Sequence, residues 1–205
     1  VSPTGTAAGW QPRDNHAHTT HSDGALSVAG LVARAESLGV LPGVADHCSR
    51  DVASAVKSPA AVRAYLDDLA RFPRLARGGE FCWHDDLWRE LPADTVRRMT
   101  HRVGSLHAAQ LGDGTWVHMF QKRLPAGLTP GAYMTWHVAS LERMMAEMPV
   151  DVFAHPTLLP LEYRTLPPEE LWTEALEERA VEAVFRAGAA FEGSNRYRPH
   201  ERLVR

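Results

Sequence analysis

Asp14-Asn15-His16-Ala17-His18-Thr19-Thr20-His21-Ser22-Asp23-Gly24 is the stretch on which the reading of this chain turns. Side chains of a strand alternate with a period of two, so His16 and His18, at the end of a predicted strand, point their rings the same way. Two imidazoles so placed suit a single metal ion, and a third ring (His21) and a carboxylate (Asp23) follow within a turn. Metal-assisted chemistry is the first expectation, ahead of any argument from fold.

Working outward, strands are predicted at 40–45, 75–81, 103–107, 150–154 and 189–192, and helices at 26–38, 59–72, 92–98, 130–148 and 167–187. Ser27 and Ser58 are predicted helix N-caps, with Pro59 at a first helical position. Residues 111–131 read as irregular and Gly-rich. Alternating strands and helices predict an α/β architecture with parallel strands. His16, His18, His47, Glu80, His107, His155 and Glu192 each fall at or just past the C-terminal end of a predicted strand. In α/β barrels that edge gathers the active site, and core packing gives no reason for it.

The bulk composition narrows the function classes. A length of 205 residues with 44% hydrophobic and 23% charged residues is that of an ordinary globular protein. One domain over residues 1–205 is expected, since no Pro-, Gly- or Ser-rich linker divides the chain. The formal net charge of -3 gives no electrostatic case for a dedicated nucleic-acid or membrane binder. Residues 1–13 lack the basic start and apolar run of a signal peptide, and no run of about 18 apolar residues occurs. Cys48 and Cys82 are too few for a disulfide framework, so a reducing cytoplasm is expected and both read as small buried hydrophobes.

The ordered set resembles the PHP (polymerase and histidinol phosphatase) superfamily. Its first motif, D-x-H-x-H-T-x-x-S-D-G, matches Asp14, His16, His18, Thr19, Ser22, Asp23 and Gly24. Val44-Ala45-Asp46-His47 resembles the second, an apolar run closing in D-H. Gly79-Glu80 is similar to the bridging-glutamate motif, Gly104-Ser105-Leu106-His107 to the next, Phe153-Ala154-His155-Pro156 to the A-H-P motif, and Phe191-Glu192-Gly193-Ser194-Asn195 to the E-x-N segment. The likeness covers roughly residues 14–200.

The resemblance implies a distorted (βα)7 TIM-like barrel with two or three divalent metal ions. It implies that His16 and His18 hold one ion, that Glu80 bridges it to a second completed by His107 and His155, and that Asp23 and His47 hold a third. The family's last motif, S-D-x-H on a seventh strand, is not in this chain, so the expectation is either a truncated chain or a protein that works without that strand. Imidazole and carboxylate suit Zn, Mn or Fe without deciding among them. Such a centre hydrolyses phosphoesters through a metal-bound hydroxide and needs no Ser, Cys or Thr nucleophile.

Asp14 and Asp46, beside ligating histidines, are expected to orient the rings through the second nitrogen. Arg196 is the first candidate for the substrate phosphate, ahead of Arg198, Lys122, Arg123 and Arg164. His84, His101, His118 and His137 are expected to be surface or structural histidines, and 169–182 a solvated helix face. The leading expectation is a stand-alone phosphatase acting on a small phosphomonoester such as histidinol phosphate. The alternatives are a nuclease acting on nucleic acid ends and a catalytically impaired metal-binding or regulatory domain.

Overall fold

The computed structural model describes residues 11–193. They form two compact units, the first from 11–80 and 90–101 and the second from 81–89 and 102–193. No helix among the described residues is long and apolar enough to cross a membrane.

In the first unit, helix α1 (Val28–Ser37) is capped as predicted, the Ser27 hydroxyl accepting from the Gly30 N–H at 3.2 Å. Strand β1 (Gly43–Cys48) is buried at every position and carries Asp46 and His47 within it rather than past its end. Helix α2 (Pro59–Leu69) starts at its Ser58 cap and buries Val62, Tyr65, Leu66 and Leu69. Strand β2 (Ala76–Cys82) is the neighbour of β1, and a single turn of helix, α3 (Ala93–Val96), follows later in the chain. The Tyr65 hydroxyl accepts from the Asp46 N–H at 3.2 Å and donates to the Gly78 carbonyl at 3.0 Å, so α2 ties both strands together.

The segment holding His16 and His18 is not the regular strand the sequence predicts. It runs beside β1 with one isolated parallel bridge, Arg13 to Leu41, and the Ala45 N–H donates to the Ala17 carbonyl at 3.0 Å. A second tie comes from His101, whose Nε2 lies 2.7 Å from the Asn15 carbonyl. Its ring crosses β2 at Gly78, where a Cβ would stand 2.4 Å from that Nε2 and 2.8 Å from the Val44 carbonyl oxygen. Only glycine admits so close a crossing.

The second unit begins with residues 81–82 of β2, beside β3 (Val103–Ser105). Next come β4 (Ala108–Gln110), β5 (Trp116–His118) and the long helix α4 (Pro130–Glu147). Strand β6 (Val152–Phe153), helices α5 (Pro168–Leu171) and α6 (Glu174–Arg186), and β7 (Ala190–Phe191) complete it. Strand β6 lies between β3 and β7, parallel to both, with Phe153 opposite Gly104 and Phe191. Helix α4 packs against α5, α6 and β4. Met144, Met145 and Met148 are core, as their spacing predicts. The chain is α/β with a mostly parallel main sheet.

Two readings of local structure are corrected. Residues 108–118 form an antiparallel hairpin, β4 with β5, Ala109 opposite Val117. Its signal was Asp113-Gly114, a turn dipeptide that suits a tight hairpin. The predicted helix 167–187 is two helices. Trp172 leaves helical geometry at φ -93, ψ 93 and is fully buried, and Thr173 caps the next helix by accepting from the Leu176 N–H. Burying the largest side chain and capping afresh outweigh the continuous amphipathic pattern. Glu177 departs from the expected solvated face, being buried at 3% exposure.

Candidate metal centre

In the first unit the motif segment, β1 and β2 bring His16, His18, Asp23, His47 and Glu80 together. Glu80 is 0% exposed. One of its oxygens, Oε2, lies 2.5 Å from His47 Nδ1, 3.3 Å from His18 Nε2 and 3.5 Å from His16 Nε2. The two Nε2 atoms of His16 and His18 are 3.1 Å apart. Two imidazole nitrogens that close either share a hydrogen bond, one ring's N–H donating to the other's bare nitrogen, or turn both lone pairs to a metal ion.

The spacing tests whether a metal ion fits. Ligand atoms about 2.0–2.1 Å from a tetrahedral metal lie roughly 3.3 Å from one another. The triangle His16 Nε2, His18 Nε2, Glu80 Oε2 has edges of 3.1, 3.3 and 3.5 Å, one face of such a tetrahedron. The donor set therefore fits a divalent ion. His18, Asp23 and His47 form a second group close enough to share one.

The ring-orienting part that the sequence gives to Asp14 and Asp46 falls to Asp23 in the structure. Asp23 Oδ1 lies 2.6 Å from His18 Nδ1, which points the other nitrogen at the Glu80 side. This is the arrangement in which a carboxylate fixes the tautomer of a metal-binding histidine. Burial lowers the His18 pKa, but Glu80 and Asp23 together outweigh it, and the imidazole titrates above its ordinary value. Burial raises the Asp23 carboxyl, and the His18 contact outweighs that, holding it below the usual carboxylate range.

Asp46 does something else. Its carboxylate accepts from the Thr19 N–H (2.7 Å), the Thr19 hydroxyl (2.7 Å) and the Ser22 hydroxyl (2.6 Å). It is fully buried and anchors the motif loop to β1. Asp14 accepts from the His16 backbone N–H at 3.0 Å rather than from a ring. Gly24 closes the loop because a Cβ there would lie 2.1 Å from the His18 carbonyl oxygen. His21 pairs with Asp68 at 3.0 Å and packs edge-on to Tyr65.

In the second unit, His107 and His155 stack with ring centroids 5.1 Å apart and planes 14° from parallel. Cys82 Sγ lies 3.0 Å from His107 Nδ1, so this buried thiol is a polar partner as well as a small hydrophobe. His155 has φ 33, a left-handed backbone that non-glycine residues seldom adopt. The Glu192 carboxylate accepts from its N–H at 2.6 Å and holds it there. Strained backbone of this kind concentrates at functional sites.

Of the histidines expected to be structural, His137 is 1% exposed inside α4 with Tyr133 at its Nδ1, and burial lowers its pKa to about 4. His84 packs against Trp116 and His118. Trp83 is buried, its N–H donating to Glu147 at 3.2 Å. Arg164 donates to the carbonyls of Leu159 and Met119. Arg196, the first phosphate candidate, lies outside the described residues, as do Ser194, Asn195, Arg198 and His200. The chain matches no family model and no curated protein.

Proposed function

We propose that this chain is a metal-dependent phosphoesterase of the PHP type, built on a distorted (βα)7 barrel and acting on a small phosphomonoester such as histidinol phosphate. The observation that carries the reading is the triangle of His16, His18 and Glu80, whose edges match a tetrahedral face. Two or three ions of Zn, Mn or Fe are proposed. His47 and Asp23 flank the triangle, and His107 and His155 are proposed as ligands of a further ion.

A divalent ion held there supplies an acidified water and neutralises phosphoryl charge. The chain's own residues prepare the site. Asp23 keeps a proton on His18 Nδ1, leaving Nε2 as a lone-pair donor. Asp46, through Thr19 and Ser22, fixes the loop that carries His18 and Asp23. Glu80, fully buried, contributes negative charge that water does not screen.

The test uses protein loaded with Mn²⁺ or Zn²⁺ on p-nitrophenyl phosphate, its bis ester and a short labelled oligonucleotide. Turnover of the monoester, abolished in His18→Ala together with metal content while circular dichroism is retained, is the expected result. Hydrolysis that survives His18→Ala overturns the proposal. Shortening of the oligonucleotide alone gives the nuclease instead, and bound metal without turnover gives the impaired domain.

A further inference from the structure

The loop that carries His18 and Asp23 is held from two sides, and Asp46 accounts for one of them. On the other stands His21, between the two residues in the chain. Its Nε2 lies 3.0 Å from Asp68 Oδ2, and an ionised carboxylate only accepts, so the ring donates. The His21 contact holds the Asp68 carboxyl below the usual carboxylate range, which keeps it an acceptor at neutral pH. Arg71 donates to the other oxygen, Oδ1, at 3.0 Å and fixes the plane of the carboxylate. The His21 ring also meets Tyr65 edge-on, centroids 5.1 Å apart. Tyr65 and Asp68 are three apart on α2 and share a face, so one helix fixes the ring in two directions.

Asp23 depends on that support. Its side chain is 56% exposed, and it meets His18 at 2.6 Å and His47 at 3.8 Å. The backbone of the loop therefore decides where its carboxylate stands. Two residues earlier, the His21 N–H donates to the Thr19 hydroxyl, the same hydroxyl that Asp46 holds, so the two anchors meet there. As a device for stability the His21–Asp68 pair is poor, since its side chains are 31% and 32% exposed and such pairs contribute little. We propose that His21 and Asp68 are a positioning pair that sets the Asp23 carboxylate against His18 and so raises the affinity of the site for its divalent ion. This rests on the reading of His18 and Asp23 as part of a metal site.

The test titrates Zn²⁺ into the metal-free protein by calorimetry. His21→Phe keeps a ring against Tyr65 and removes the N–H, and Asp68→Ala removes the acceptor. Each is expected to weaken Zn²⁺ binding about tenfold, the order found for outer partners of metal-binding histidines, with the urea midpoint of the metal-free protein unchanged. The double variant should bind no more weakly than either single one, because both break the same contact. Asp68→Asn, which keeps a carbonyl acceptor, should recover most of the affinity. Unchanged affinity, losses that add in the double variant, or a loss that follows a falling urea midpoint overturns the inference. If the unaltered protein binds no Zn²⁺, the metal reading fails and the nitrogen-15 resonances of the His18 ring decide this one. An Nδ1–H bonded to Asp23 in the unaltered protein and lost in both variants supports it. The same signal in all three proteins overturns it.

Discussion

His137 gives the protein a pH dependence whose size follows from its surroundings. The ring is 1% exposed within α4, with Tyr133 at its Nδ1 and Trp172 edge-on at 5.8 Å. Burial lowers its pKa from 6.5 to about 4, so the folded chain resists the proton that the unfolded chain accepts. The unfolded state therefore binds more protons as pH falls through 6.5, and stability is lost from there down to about 4, below which the loss levels off. Linkage between those two values gives a loss of about 2 kcal/mol at pH 5 and about 3 kcal/mol at pH 4 from this residue alone. Carboxylates titrate over the same range, so the measurement is a difference. Urea unfolding of the unaltered protein and of His137→Phe is followed at pH 7 and pH 5. The unaltered protein should lose about 2 kcal/mol more than the variant over that interval. Equal losses would refute the assignment of a neutral, buried His137.

Two further perturbations test how the ligands are held. Gly78→Ala places a Cβ 2.4 Å from His101 Nε2 and 2.8 Å from the Val44 carbonyl oxygen. The backbone cannot yield easily, so a loss of about 1–3 kcal/mol is expected, read from the urea midpoint, and a change within about 0.5 kcal/mol would show that the crossing relaxes. Glu192→Ala removes the acceptor of the His155 N–H, at an expected cost of about 1–3 kcal/mol that Glu192→Gln largely recovers. If Gln is no better than Ala, the carboxylate does not hold that turn.

Much of the first unit's cluster could be read from the sequence because its signals are local or repeat from strand to strand. His16 and His18 need only an extended backbone to face one way, and that holds although the segment is not a regular strand. His47 and Glu80 were found by their place near the ends of apolar runs, and each lies within a strand, β1 and β2 respectively. What escaped depends on partners distant in sequence. The Asp46 carboxylate looks like a ring orienter until Thr19, 27 residues earlier, is seen to occupy it. His101 looked like a surface histidine because its role requires Asn15, 86 positions away, and the gap at Gly78. Glu192 and Cys82 likewise act on His155 and His107 through contacts that no spacing encodes. The hairpin at 108–118 did carry a local signal, Asp113-Gly114, that the Gly-rich composition concealed.

The central claim is that His16, His18 and Glu80 hold a divalent ion, and anomalous diffraction from crystals of the Zn²⁺- or Mn²⁺-loaded protein tests it most directly. The account predicts a peak at the metal edge about 2.0–2.2 Å from His16 Nε2, His18 Nε2 and Glu80 Oε2. A loaded crystal with no peak at that triangle, or with its only peak at the His84–His118 pair, would contradict it.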